Sequence, residues 1–141
     1  MPQVDVIKYV THLSLLLETH FNKLYKEHQL SNTDVRILLG IKDEEGLNQE
    51  YFVKETLLSK NIVSQRIKKL VEKGLVCLQE DLYDKRNNVL ALTKKGFEQA
   101  EFFLKERLKI NNLLLKNLPD FNIRSLSVDL PVIIKNAEIL K

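Results

Sequence analysis

Apolar residues recur along this chain with a period that switches from helical to alternating and back, and the switches mark its elements. In residues 3–28, Ile7, Val10, Leu13, Leu16, Leu17, Phe21 and Leu24 stand three and four apart, the spacing that gathers side chains on one face of a helix. Val6 and Leu15 widen that surface, which suits either one broad face on the chain's own core or a helix also covered by a second subunit. Four further helix starts repeat one device, an apolar residue, then a capping residue, then an apolar residue four positions after the cap. The sets are Leu30, Ser31 and Val35; Leu47, Asn48 and Phe52; Leu58, Ser59 and Val63; and Leu92, Thr93 and Phe97. In each, the cap's side-chain oxygen can accept a first-turn N–H while the two apolar side chains close over it. These starts predict helices over 32–44, 49–57, 60–73 and 94–117. Gly46 separates the first two, and the short turn around Leu57, Leu58 and Ser59 joins the second to the third as a helix-turn-helix.

Within 60–73, Val63, Ile67, Leu70 and Val71 fall on one face and are expected to pack inward. Asn61, Gln65 and Lys68 point the opposite way, with Lys60 and Ser64 at the exposed N-terminal end, Lys69 at the flank and Ile62 beside them. Gly74 sits where a helix ends on a left-handed residue. The runs 75–78 and 89–92 read as two short strands, and 80–88 as the loop that makes them a hairpin. Phe97, Ala100, Phe103, Leu104, Leu108, Leu114 and Leu115 then keep a helical period over about 24 residues, or about 36 Å. Pro119 stops that helix. Residues 120–141 are apolar-rich again, and Pro131, which costs about 3 kcal/mol in a helix interior, predicts a kink or a fresh helix start. The fold class is mainly α with a small β-hairpin.

Composition sharpens this picture in two ways. With 141 residues, 44% hydrophobic and 29% charged, the chain can bury one core, which favours a single domain over 1–141. A net charge of +3 is modest, so any polyanion-binding surface must come from where the charge sits. It sits on 60–73, where Lys60, Arg66, Lys68, Lys69 and Lys73 face Glu72 alone. One cysteine, Cys77, excludes an internal disulfide; the N-terminus lacks the basic and apolar regions of a signal peptide, so a cytoplasmic location is expected. No uncharged apolar run approaches the roughly 18 residues that span a bilayer. A Gly-rich phosphate loop, metal-ligand spacing and a nucleophile with an adjacent base are all missing, so neither an enzyme nor a cofactor is expected. His12, His20 and His28 stand eight apart, about 80° of rotation on a helix, and cannot share one metal.

The chemistry that remains is recognition. Asn61, Ser64 and Gln65 can hydrogen-bond base edges, and Lys60 and Lys68 can do that or bind phosphate. In the hairpin loop, Asp81 and Asp84 would repel phosphate, so Lys85 and Arg86 must do the contacting, with Asp84 orienting Arg86 through a salt bridge for a narrow minor groove. Gly74-Leu75-Val76, then Asp84-Lys85-Arg86, then Leu92-Thr93-Lys94-Lys95-Gly96, at these separations, resemble the winged-helix core of the MarR family of bacterial transcriptional regulators. The resemblance implies a winged helix-turn-helix lobe at 31–96 and dimerisation helices at 1–30 and 97–141. It further implies a homodimer on double-stranded DNA, a repressor released by a small-molecule effector, with the helix at 60–73 in the major groove and Arg86 in the minor groove. The chain departs from the family at Leu78, where a basic residue is usual, and at Thr56, where an apolar one is. Cys77 lies in a strand and not in the leading helix where the family's peroxide sensors carry theirs, so it reads as structural. Tyr9, His12, Leu16, Leu38 and Phe103 are candidates to line an effector pocket, though apolar residues at such spacing are more often core. The rival reading is a winged helix that binds protein instead of DNA; such a helix would more often expose aromatic or Leu anchors than Asn61, Gln65 and Lys68.

Overall fold

Helix starts in this chain are fixed by side chains that close the first turn. In the computed structural model, which describes residues 3–84 and 88–141, six helices and one hairpin follow in order. They are α1 (Val6–Glu27), α2 (Asn32–Asp43), α3 (Gln49–Thr56), α4 (Lys60–Glu72), β1 (Val76–Glu80), β2 (Asn88–Leu92), α5 (Lys94–Leu114) and α6 (Asp120–Ala137), closed by a 3-10 turn at Glu138–Leu140. All four expected caps are made. Ser31 Oγ accepts from Asp34 N–H at 3.1 Å while Asp34 Oδ2 accepts from Ser31 N–H at 2.8 Å, a reciprocal capping box. Asn48 Oδ1 accepts from Tyr51 at 3.0 Å, Ser59 Oγ from Ile62 at 3.2 Å, and Thr93 Oγ1 from Gly96 at 3.0 Å.

The chain divides into two compact units, one ending at Leu104 and the other spanning Lys105–Lys141. In the first, α2, α3 and α4 pack on one another, with α1 against α2 and β1 against α4. Their core runs from Tyr25 and Leu30 through Val35, Leu38 and Phe52 to Val63, Leu70, Val76 and Phe103. α2 and α3 approach so closely at Gly40 that a Cβ there would lie 2.7 Å from the Phe52 ring. Gly96 is tighter still, since its Cβ would meet the Leu75 carbonyl oxygen at 1.9 Å. Gly74 (φ 73°) ends α4 as expected, with its N–H donating to Val71 O and that of Leu75 to Leu70 O, both at 3.0 Å. β1 and β2 pair antiparallel, Val76 opposite Leu92 and Glu80 opposite Asn88. Leu90 N–H also donates to Leu47 O at 2.8 Å, tying the hairpin base to the segment before α3.

Several expectations are corrected. The strands run one or two residues further toward the loop than 75–78 and 89–92, because pairing carries on through polar Gln79, Glu80 and Asn88 once the apolar base is docked. α5 stops at Leu114 and not at 117; the following turns pass through Asn117 at a left-handed φ of 68°. Pro131 neither breaks nor restarts a helix, for α6 continues through it. Proline removes one N–H donor, and on a helix that buries no residue solvent can satisfy the carbonyl it leaves behind. Val71 stands 38% exposed at the edge of the α4 stripe whose centre is Val63, Ile67 and Leu70. In the second unit no residue is buried, and Val128, Leu130, Val132, Ile133 and Ile134 all stand exposed.

Candidate nucleic-acid interface

One face of α4 anchors the helix and leaves the opposite face free. Val63, Ile67 and Leu70 are buried, while Lys60, Asn61, Ser64, Gln65 and Lys68 are all exposed. At 3.6 residues per turn, Asn61, Ser64, Gln65 and Lys68 share one surface stripe opposite the buried one. No hydrogen bond or ion pair among the described residues occupies their side chains. Ile62 stands beside them, exposed. The stripe therefore presents two amides, a hydroxyl and an ammonium, all available to a partner.

The turn that sets the angle of α4 was only half legible. Leu57 takes a left-handed φ of 59°, a conformation that costs a non-glycine residue about 1–2 kcal/mol. Thr56 supports it, its hydroxyl donating to Phe52 O at 2.6 Å and accepting from Leu58 N–H at 3.4 Å. Thr56, where the resembled family usually has an apolar residue, is thus the one that stitches the turn; a Thr as a helix's last residue, where it can bond back four residues, is the sequence signal for it. The neighbouring edge of α3 is acidic. Partial burial first, then Glu55, Glu44 and Asp43, push the Tyr51 hydroxyl above the ordinary tyrosine range.

The hairpin is fastened to the C-terminal end of α4. Thr93 Oγ1, besides capping α5, donates to Gly74 O at 2.6 Å, and Thr93 N–H donates to Leu75 O at 3.1 Å. In the loop beyond, Asp81 Oδ1 accepts from Tyr83 N–H at 3.0 Å, so this acid shapes the loop, and Leu82 and Tyr83 project fully into solvent. Asp84 is exposed. Lys85 and Arg86, and with them the Asp84 to Arg86 pairing, lie outside the described residues.

The five residues expected around an effector separate by burial. Leu38 and Phe103 have no accessible surface, packed in the core where the Phe103 ring meets Tyr25 edge-on at 5.1 Å, and so offer a ligand nothing. Tyr9, His12 and Leu16 are exposed on α1. Cys77 is half-buried in β1. Among the described residues no group of three or more His, Cys, Asp or Glu gathers as metal ligands, and no helix is long and apolar enough to cross a membrane.

The segment that carries this geometry is also where known proteins resemble the chain. Residues 28–87 match the model of the MarR family. The HTH-type transcriptional regulator SarZ of Staphylococcus haemolyticus is 27% identical over 94 residues, 67% of this chain and 63% of that protein. SarZ of Staphylococcus saprophyticus is 34% identical over 81 residues, 57% and 56% of the two chains. The chain thus spans less than two thirds of the length of either relative. In fold the likeness reaches further: a Listeria monocytogenes protein described as a MarR family transcriptional regulator, solved in complex with 26-mer DNA, superposes with a TM-score of 0.85 at 24% identity over 96% of this chain and 90% of that one. The helix-turn-helix, the hairpin wing and the flanking helices are therefore those of the fold of that Listeria protein, and it is the helix-turn-helix and wing, residues 28–87, that resemble the MarR family.

Proposed function

We propose that this chain is a transcriptional regulator that binds duplex DNA as a homodimer, each subunit laying α4 in the major groove of one half of a pseudo-palindromic operator. The observation that carries the reading is the α4 stripe, where Asn61, Ser64, Gln65 and Lys68 are exposed and unengaged while the opposite face is locked into the core. Amides suit adenine edges, and lysines suit guanine edges and phosphates. Lys60, Lys85 and Arg86 complete the contact set, with Asp84 as support for Arg86 in the minor groove. Sequence similarity to the regulators named SarZ and the fold shared with the DNA-bound Listeria protein support the same use here. Dimerisation draws support from Lys105–Lys141, a helical unit with no buried residue, and from exposed Ile7, Val10, Leu13 and Leu16 on α1. On this reading the protein acts in the cytoplasm without catalysis, as a repressor released by a small-molecule effector.

A protein-docking winged helix is the less favoured reading, because the α4 stripe carries polar and basic groups with only Ile62 as an apolar anchor. Duplex fragments from around the protein's own gene, titrated by fluorescence anisotropy over a range of salt, test the proposal. Affinity should fall steeply with salt, and Arg86→Ala should cost roughly 1–3 kcal/mol. Absence of salt-sensitive binding at low ionic strength would overturn the DNA reading.

A further inference from the structure

A cleft of about 490 Å³ opens between the end of α1, the start of α2 and the flank of α4 away from the reading stripe. That volume is in the range that holds a small metabolite. Lys26, Gln29, Ser31, Asp34, Arg66 and Lys69 line it, with Glu72 and Lys73 at its side. Four cations therefore face two carboxylates. The Lys73 ammonium is engaged, donating to Gln29 O across the cleft. Lys26, Arg66 and Lys69 have no ion pair or hydrogen bond among the described residues.

Asp34 is the unusual member. Its residue is only 4% exposed, Oδ2 accepts the Ser31 N–H at 2.8 Å, and Oδ1 is buried with no hydrogen-bond partner. None of the cleft's cations comes within 4.0 Å of this carboxylate. A buried carboxylate oxygen without a donor is costly, and three cations without a protein partner, Lys26 and Lys69 exposed and Arg66 half-buried, gather positive charge along the same cleft. A bare anion would answer the cations but bring like charge toward Asp34, and a bare cation would do the reverse. One molecule with both an anionic group and a hydroxyl answers both demands.

We infer that this cleft binds a small hydroxylated phosphate monoester, its phosphate on Arg66, Lys69 and Lys26 and its hydroxyl donating to Asp34. Guanidinium and ammonium groups together suit a dianion, Arg66 as a fork and the lysines as point charges. Because Arg66 and Lys69 belong to α4, the molecule is held in part by the helix that carries Asn61, Gln65 and Lys68. The site stands apart from the pocket expected on α1, and binding at it does not depend on DNA.

Isothermal titration at constant ionic strength, with glycerol 3-phosphate as probe and inorganic sulfate as the anion without a hydroxyl, tests it on the full chain. Glycerol 3-phosphate should bind about tenfold or more tightly than sulfate. Asp34→Asn should bring the two within about threefold of each other, because the carboxylate that tells them apart is gone. Arg66→Gln combined with Lys69→Gln, both away from the core, should weaken both probes by about tenfold or more. Equal binding of the two probes to the unmodified protein, which marks an adventitious ion only, would overturn the inference. So would no saturable binding up to about 10 mM, a double variant that binds unchanged, or an unchanged preference in an Asp34→Asn protein shown to be folded by circular dichroism.

Discussion

Up to Leu104 the chain buries apolar side chains from seven elements against one another, whereas Lys105–Lys141 bury none although Leu130, Val132, Ile133 and Ile134 are as apolar as anything in the core. Both regions have regular helices. What differs is whether the apolar side chains are buried. A helical unit of that size without a core cannot offset the entropy of ordering its backbone, so its apolar face needs a surface to cover it. The first unit thus has a core of its own, and in the proposed homodimer a second copy would cover the apolar face of the second.

Substitutions in the two regions should fail in different ways. The largest effect is expected at Gly96, where a Cβ would stand 1.9 Å from the Leu75 carbonyl and the obstruction is backbone. Gly96→Ala should lower stability by roughly 3 kcal/mol, seen as a lower thermal midpoint and weaker wing-dependent binding together. Ile134→Asp comes next. This side chain is 65% exposed in the single chain, so the fold of the first unit should survive, while self-association measured by light scattering should weaken by roughly tenfold or more. A stable monomer of the unmodified protein at micromolar concentration would break the comparison at its root. Thr93→Val is smaller. It removes both the bond to Gly74 O and the cap on Gly96 N–H, and should cost about 1–2 kcal/mol in chemical denaturation.

What was legible in the sequence was local chemistry. The four caps at Ser31, Asn48, Ser59 and Thr93 could be read because cap, staple and first turn lie within five residues of one another. Gly74 could be read for the same reason. Val71 was misplaced because the stripe on α4 is narrower than its apolar spacing suggests, and a residue 100° from Leu70 falls at the edge. No fresh helix start occurs at Pro131, because the penalty for proline is eased where solvent can satisfy the carbonyl it leaves, and α6 buries no residue. The cleft around Asp34 was illegible, since its walls come from α1, α2 and α4 and only packing brings them together. Asp34 carried no expectation from sequence; in structure it completes the Ser31 capping box and keeps one buried oxygen without a partner. The reading stripe of α4 lay between these cases: its polarity was plain, but its freedom from other contacts needed the fold.

On the proposed function α4 reads bases and does not merely attract phosphate. The most direct measurement is the affinity of the unmodified protein and of Gln65→Ala for a duplex selected by the protein from random DNA, against a scrambled duplex of equal length. Gln65→Ala should lose roughly 1–3 kcal/mol on the selected duplex and almost nothing on the scrambled one. Equal losses on both, or no selected sequence at all, would contradict the account.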